Sequence, residues 1–239
     1  MTPLVLVHGF MGGSAQWEGQ RAGLANCCEV IALDLPGFGL NADLPPIDSI
    51  GGFADWVLAE LDSREVHKFH LLGHSMGGMI VQEMAHRVPD RIDRLILYAT
   101  GSVGVLPGRF ETIAQSKARA RADGAAATAR RIAANWFLKS EASPGYAACA
   151  AIAEHAGLEA ILAGLSAMES WSGQARLPEI APETLVIWGD RDRTYRWPQV
   201  ERLWQEIRRT SLSVFADCGH AVHLEDPDGF NHVLIRYLT

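Results

Sequence analysis

Ser75 stands in the run Gly73-His74-Ser75-Met76-Gly77, between the apolar stretch Phe69 to Leu72 and a segment patterned as a helix. A serine on a sharp strand-to-helix turn presents its hydroxyl outward, and small flanking residues avoid collisions with the neighbouring backbone. Near neutral pH that hydroxyl is a weak nucleophile and needs an adjacent base. His220, in Asp217-Cys218-Gly219-His220, follows the last predicted strand, and Gly219 would let the loop turn it toward the sheet. His223 is a rival three residues on. The base in turn needs a carboxylate to hold its tautomer and stabilise the imidazolium. Two aspartates could serve, Asp190 and Asp192, in Trp188-Gly189-Asp190-Arg191-Asp192 after another apolar strand. A developing oxyanion needs N–H donors. Met76, directly after the serine, and Phe10, in His8-Gly9-Phe10 after the first strand, offer backbone N–H groups. Together these residue types suit acyl transfer through a serine-bound intermediate. His74 is expected to pack away from the serine, and His67, His70, His86, His155 and His232 read as surface or helix-face residues.

Short apolar runs must position these groups: Leu4 to Val7, Glu29 to Leu33, Phe69 to Leu72 and Leu95 to Tyr98, alternating with longer helical patterns. That alternation predicts a mostly parallel sheet with helices on both faces, hence an α/β class. Helices are expected from Ile50 to Leu61, with Ser49 as N-cap, and from Met76 to Val88, stopped by Pro89. From about Gly101 to Pro178 the chain turns Ala-rich and lacks a convincing strand, which predicts three or four helices inserted as a cap. The organisation read here is a core of residues 1–100 and 179–239 with residues 101–178 inserted. Strand and helix patterns resume at Thr184 to Trp188, Gln199 to Ile207, Ser211 to Phe215 and beyond Pro227. Within the insertion, Trp136, Phe137, Met168 and Trp171 are candidates to line an apolar substrate pocket, with core packing between cap helices as the competing role.

The 239 residues, 48% hydrophobic and 21% charged, suit one large globular domain with a sizeable core. A net charge of −7 gives no basic surface of the kind nucleic acid requires. The inserted stretch is the exception: eight Lys or Arg face six Asp or Glu. That local excess, carried by Lys117, Arg119, Arg121, Arg130 and Arg131 among others, could steer an anionic substrate or merely form solvated helix faces. Cys27, Cys28, Cys149 and Cys218 fit neither a disulfide framework nor a metal spacing. No run reaches the length of a membrane span and none has the build of a signal segment, so a cytoplasmic location without membrane attachment is expected.

His8-Gly9-Phe10, Asp34-Leu35-Pro36-Gly37-Phe38-Gly39, Gly73 to Gly78, Gly189 to Asp192 and Gly219-His220 together resemble the α/β-hydrolase superfamily over essentially the whole chain. The resemblance implies the α/β-hydrolase fold, and its Gly-x-x-Asp spacing selects Asp192 over Asp190. A Ser75, His220 and Asp192 triad needs no metal and no cofactor. Two departures stand out: the family's N-terminal hairpin is missing before the first strand, and Asn41 occupies a position where serine is common. A serine nucleophile disfavours the haloalkane dehalogenases and most epoxide hydrolases. Gly145 to Cys149 and Trp171-Ser172-Gly173 resemble 3-oxoadipate enol-lactonases. The short start and His-Gly-Phe loop resemble a pyruvate-eliminating synthase, although Met79 replaces that enzyme's arginine. Ala221 stands where meta-cleavage C–C hydrolases usually carry tryptophan. A small carboxylic ester or lactone is therefore the expected substrate, acted on by a carboxylesterase or lactonase. C–C hydrolysis, a pyruvate-eliminating lyase and a small-ligand signalling protein are the alternatives, and the oligomeric state is left open.

Overall fold

The computed structural model describes residues 1–109 and 111–239. Six strands, β1 (Leu4–Val7), β2 (Val30–Leu33), β3 (Phe69–His74), β4 (Ile92–Tyr98), β5 (Glu183–Gly189) and β6 (Thr210–Phe215), form one sheet in the order β2-β1-β3-β4-β5-β6. Every pairing is parallel. Because side chains alternate across a strand, Val5 and Val7 join one apolar layer while Leu4 and Leu6 join the other.

The first layer is covered by α2 (Ile50–Ser63), α3 (Met76–Arg87) and α8 (Trp197–Glu206), the second by α1 (Glu18–Leu24) and α10 (Pro227–Leu238). In α2 the buried residues Ile50, Phe53, Ala54, Val57 and Leu61 recur at helical spacing, and Ser49 Oγ accepts from Gly52 N–H at 3.2 Å. Helix α3 is buried along most of its length and ends ahead of Pro89. Helix α1 was not anticipated: it buries only Gln20 and Leu24, too few for a readable period. Strand β4 begins three residues before its apolar run, with Asp93 exposed on it.

The chain leaves β1 for β2 on one side and returns through α2 to β3 on the other. This reversal opens a crevice beyond the carboxyl ends of β1 and β3, where α/β sheets bind ligands. Register makes the two ends level, since Val7 lies opposite Gly73. Between β4 and β5 the chain forms α4 (Ile113–Asp123), α5 (Ala125–Asn135), α6 (Tyr146–Ala153) and α7 (Leu158–Glu169). Its entry and exit are tied by Gly104 N–H to Trp171 O (3.1 Å) and Gly173 N–H to Ser102 O (2.9 Å). A short α9 (Val222–Glu225) follows β6. Among the described residues no single helix is long and apolar enough to cross a membrane. One expectation fails here: His70 lies on β3 and is buried, with Nδ1 3.6 Å from Asp93 Oδ2.

Candidate active site

Ser75 occupies a backbone conformation, φ 56° and ψ −117°, that L-residues rarely adopt. Three hydrogen bonds hold it: its N–H donates to Tyr98 O (2.9 Å), and its carbonyl accepts from Gly78 N–H (2.9 Å) and Thr100 Oγ1 (2.7 Å). The glycines answer to contact distances. A Cβ at Gly77 would lie 2.3 Å from Val7 O, and one at Gly73 would lie 2.3 Å from Gly77 O. The turn therefore closes only with hydrogen at both positions.

His220 Nδ1–H donates to Asp192 Oδ2 at 2.8 Å, with both side chains buried. The other oxygen, Oδ1, accepts from the N–H groups of Thr194 (2.7 Å) and Tyr195 (3.1 Å). Asp190 is turned elsewhere and accepts from Asp217 N–H at 2.8 Å. His220 and Ala221 both donate their N–H to Trp136 O (2.8 and 3.0 Å), which anchors the loop to the end of α5. Glu225 binds the same loop to the insertion, accepting from Gly219 N–H (2.5 Å) and Leu138 N–H (2.6 Å). Ser75 and His220 face a common cavity, and among the described residues Ser75 Oγ makes no hydrogen bond to His220. Such bonds commonly tighten only when substrate binds.

The loop after β1 presses on the serine turn: a Cβ on Gly9 would lie 2.9 Å from Ser75 Cβ. Among the described residues no protein acceptor takes the N–H of Phe10 or Met76. His8 is held in one tautomer, with Nδ1–H on Gly9 O (2.8 Å) and Nε2 accepting from Leu35 N–H (2.9 Å). Burial lowers its pKa, in keeping with a neutral ring. Asp34 braces the adjoining loop by accepting from Ser14 N–H (2.9 Å), while Asn41 Nδ2 donates to Asp34 O (2.6 Å), an amide closing the turn where serine is common.

A model of the alpha/beta hydrolase family matches residues 4–233. The chain belongs to that family. Over 103 residues, 43% of its length, it is 43% identical to the dihydrolipoyllysine-residue acetyltransferase component of the acetoin cleaving system of Pseudomonas putida, of which it spans 28%. Across 98% of its length it is 28% identical to the 2-hydroxy-6-oxo-6-phenylhexa-2,4-dienoate hydrolase of Comamonas testosteroni, covering 87% of that protein. A thermophilic esterase from Thermogutta terrifontis, solved with malate bound, matches with a TM-score of 0.90 at 25% identity, over 100% of this chain and 89% of that one.

The cavity beside Ser75 measures about 390 Å3. Phe10, Leu106, Ile132, Trp136, Leu165 and Met168 form much of its apolar wall. Two residues expected to line it do not. Phe137 packs with Ala133, Cys149 and Ala150 in a separate apolar cluster, and Trp171 is drawn away because its Nε1–H donates to Glu83 Oε1 at 2.9 Å. Of the basic residues singled out in the insertion, only Arg119 and Arg131 reach the cavity.

Several residues around the site carry no sequence signal. Tyr195 stacks on His220 with ring centroids 5.7 Å apart. On another side His74, expected only to pack, lies between Tyr98 and His220, with centroids 4.6 Å from each. His74 Nε2–H and Tyr98 Oη–H both donate to His220 O at 3.1 Å. His223, the rival base, is fully buried behind them: its Nδ1 lies 3.0 Å from Tyr98 Oη and its ring 4.4 Å from Trp17. Burial, reinforced by the charge His220 would carry, holds its pKa at about 3. It does not line the cavity that Ser75 and His220 share, and it packs beneath His220.

Proposed function

We propose that this hydrolase-family chain cleaves a small carboxylic ester or lactone through an acyl-serine intermediate. Ser75 Oγ attacks the carbonyl carbon while His220 Nε2 takes its proton. The tetrahedral oxyanion accepts from Phe10 and Met76 N–H, each well-aimed donor being worth about 3 to 4 kcal/mol. Collapse expels the alcohol, which receives the proton from His220, and a water activated by the same base releases the acid. Asp192 keeps Nδ1 protonated, so that Nε2 is the nitrogen that takes and returns the proton, and its carboxylate stabilises the imidazolium in between.

The observation that carries this reading is the buried 2.8 Å contact of His220 Nδ1 with Asp192 Oδ2 on the wall where the strained Ser75 turn opens. The likeness to the Thermogutta terrifontis esterase adds support for an ester. The relative named for 2-hydroxy-6-oxo-6-phenylhexa-2,4-dienoate supports a second reading, hydrolysis of a C–C bond in a vinylogous diketone on the same groups.

A fluorophosphonate should label Ser75 stoichiometrically, as read by peptide mass spectrometry. Turnover of p-nitrophenyl esters, lactones and a vinylogous diketone should then favour the esters or lactones. Labelling elsewhere removes Ser75 as nucleophile; a diketone that outpaces all esters moves the substrate class to the second reading.

A further inference from the structure

Arginine dominates the charged lining of the cavity: Arg109, Arg119, Arg131, Arg193 and Arg196 face a single carboxylate, Glu111. Two of these cations are matched, Arg119 by Glu111 (3.3 Å) and Arg131 by Asp123 (2.6 Å). Arg193 and Arg196 are exposed at the rim. Arg109 differs from all of them. It is partly buried, and among the described residues no carboxylate lies within 4.0 Å of its guanidinium.

Its fork is nonetheless fixed. Nε–H donates to Glu111 O (2.8 Å) and Nη2 to Ser116 Oγ (2.9 Å). Ser116 Oγ is oriented in turn by donating to Glu111 Oε1 (2.8 Å), and Glu111 Oε2 is already taken by Arg119. The carboxylate nearest in sequence is thus spent on other donors. Of the five N–H bonds of a guanidinium, three remain on Arg109, two on Nη1 and one on Nη2. Burial lowers the Arg109 pKa from its high ordinary value, with Glu111 opposing the shift, so the group stays charged at neutral pH. A charge held in a half-buried wall with no carboxylate in direct contact leaves its free N–H bonds to be completed by a ligand.

Resting on the ester or lactone reading above, we propose that the substrate carries a carboxylate on its acyl or alcohol part and that Arg109 binds it. The remaining N–H bonds form one planar fork, which matches the two oxygens of a carboxylate. Apolar residues, among them Ile132, Leu165 and Met168, line the rest of the cavity and would hold the hydrocarbon portion between that carboxylate and the scissile carbonyl at Ser75. Rim arginines 193 and 196 add an attractive field for an entering anion.

The test compares kcat/KM for p-nitrophenyl butyrate and mono-p-nitrophenyl glutarate in wild type, Arg109→Met and Arg109→Lys at low ionic strength. Wild type should prefer the glutarate ester, and Arg109→Met should lower the ratio of the two values by about 10- to 100-fold. Arg109→Lys, which keeps charge but loses the fork, should fall between and covers the case in which the methionine variant does not fold. Wild-type preference for butyrate, or a ratio unmoved by both variants, overturns the proposal. If neither ester turns over, the ester reading fails by itself, and calorimetry with free glutarate still decides the anion site. Binding weakened by the Arg109 substitutions supports it, whereas absent binding, or binding they leave unchanged, overturns it.

Discussion

The backbone around Ser75 and the helices α4 to α7 that overhang it are held in different ways. At the turn, main-chain atoms touch main-chain atoms: Gly73 and Gly77 allow approaches that any Cβ would block, and Thr100 and Tyr98 pin the strained residue. In the insertion, small buried residues such as Ala120, Ala129, Ala133 and Ala153 let helices pack closely, while the ion pairs Lys117–Glu169 and Arg130–Glu154 join helices at the surface. The first arrangement tolerates almost no substitution because backbone cannot move aside. The second leaves the outer side chains free to vary. A rigid turn beneath an adjustable roof would separate the groups proposed to break the bond from those that would select the substrate.

The hardest test of that contrast is Ser75→Ala, which removes one hydroxyl and little packing. Turnover should fall by about six orders of magnitude with the fold retained. Unchanged turnover would sink the role proposed for the turn. Next comes Asp192→Asn, for which a loss of about four orders of magnitude in kcat is expected through the wrong histidine tautomer. Asp190→Asn, whose parent serves the loop at Asp217, should change kcat by less than about tenfold. A larger loss at 190 than at 192 would reverse the assignment.

A third prediction concerns the buried imidazoles under His220. His223 is held at about 3 and His74 well below its ordinary value, mainly by burial, whereas in the unfolded chain both titrate near 6.5. Between those values the unfolded state binds more protons, so their contribution to stability is complete above about pH 6.5 and is lost as the pH falls. Stability measured by urea unfolding should therefore fall by about 1.4 kcal/mol per pH unit for each such histidine below that point. In His223→Gln the slope should be shallower by one histidine's share; a slope as steep as wild type would contradict the buried neutral state. The smallest effect belongs to the roof: Arg130→Ala breaks the exposed pair with Glu154 and should change stability by less than about 1 kcal/mol. A greater loss would mean that the insertion is as tightly determined as the turn.

Much of the architecture is written locally. The apolar runs Leu4 to Val7 and Thr184 to Trp188 and the periodic face of α2 follow from side-chain alternation alone, whereas α1 and the start of β4 lack that periodicity and were not legible. Ser75 stood out because a sharp strand-to-helix turn demands small neighbours within a few residues. Partners far apart in sequence were another matter. Residues near 190 offered two aspartates, between which the family resemblance and not the local pattern selected Asp192, and the folded loop brings Asp192 to His220 while Asp190 meets Asp217 N–H.

The sequence by itself determined a parallel α/β sheet, a serine on a glycine-bounded turn and an Ala-rich helical insertion, since each is a pattern of neighbours along the chain. Tertiary structure decided that Trp136 and Met168 face the cavity while Phe137 and Trp171 do not, that Tyr195 and His74 flank His220, and that among the described residues no carboxylate contacts Arg109. The physical reason is that periodicity encodes which face of an element is buried. What that face meets, and whether a charge finds its counter-ion, depends on how the elements pack against one another.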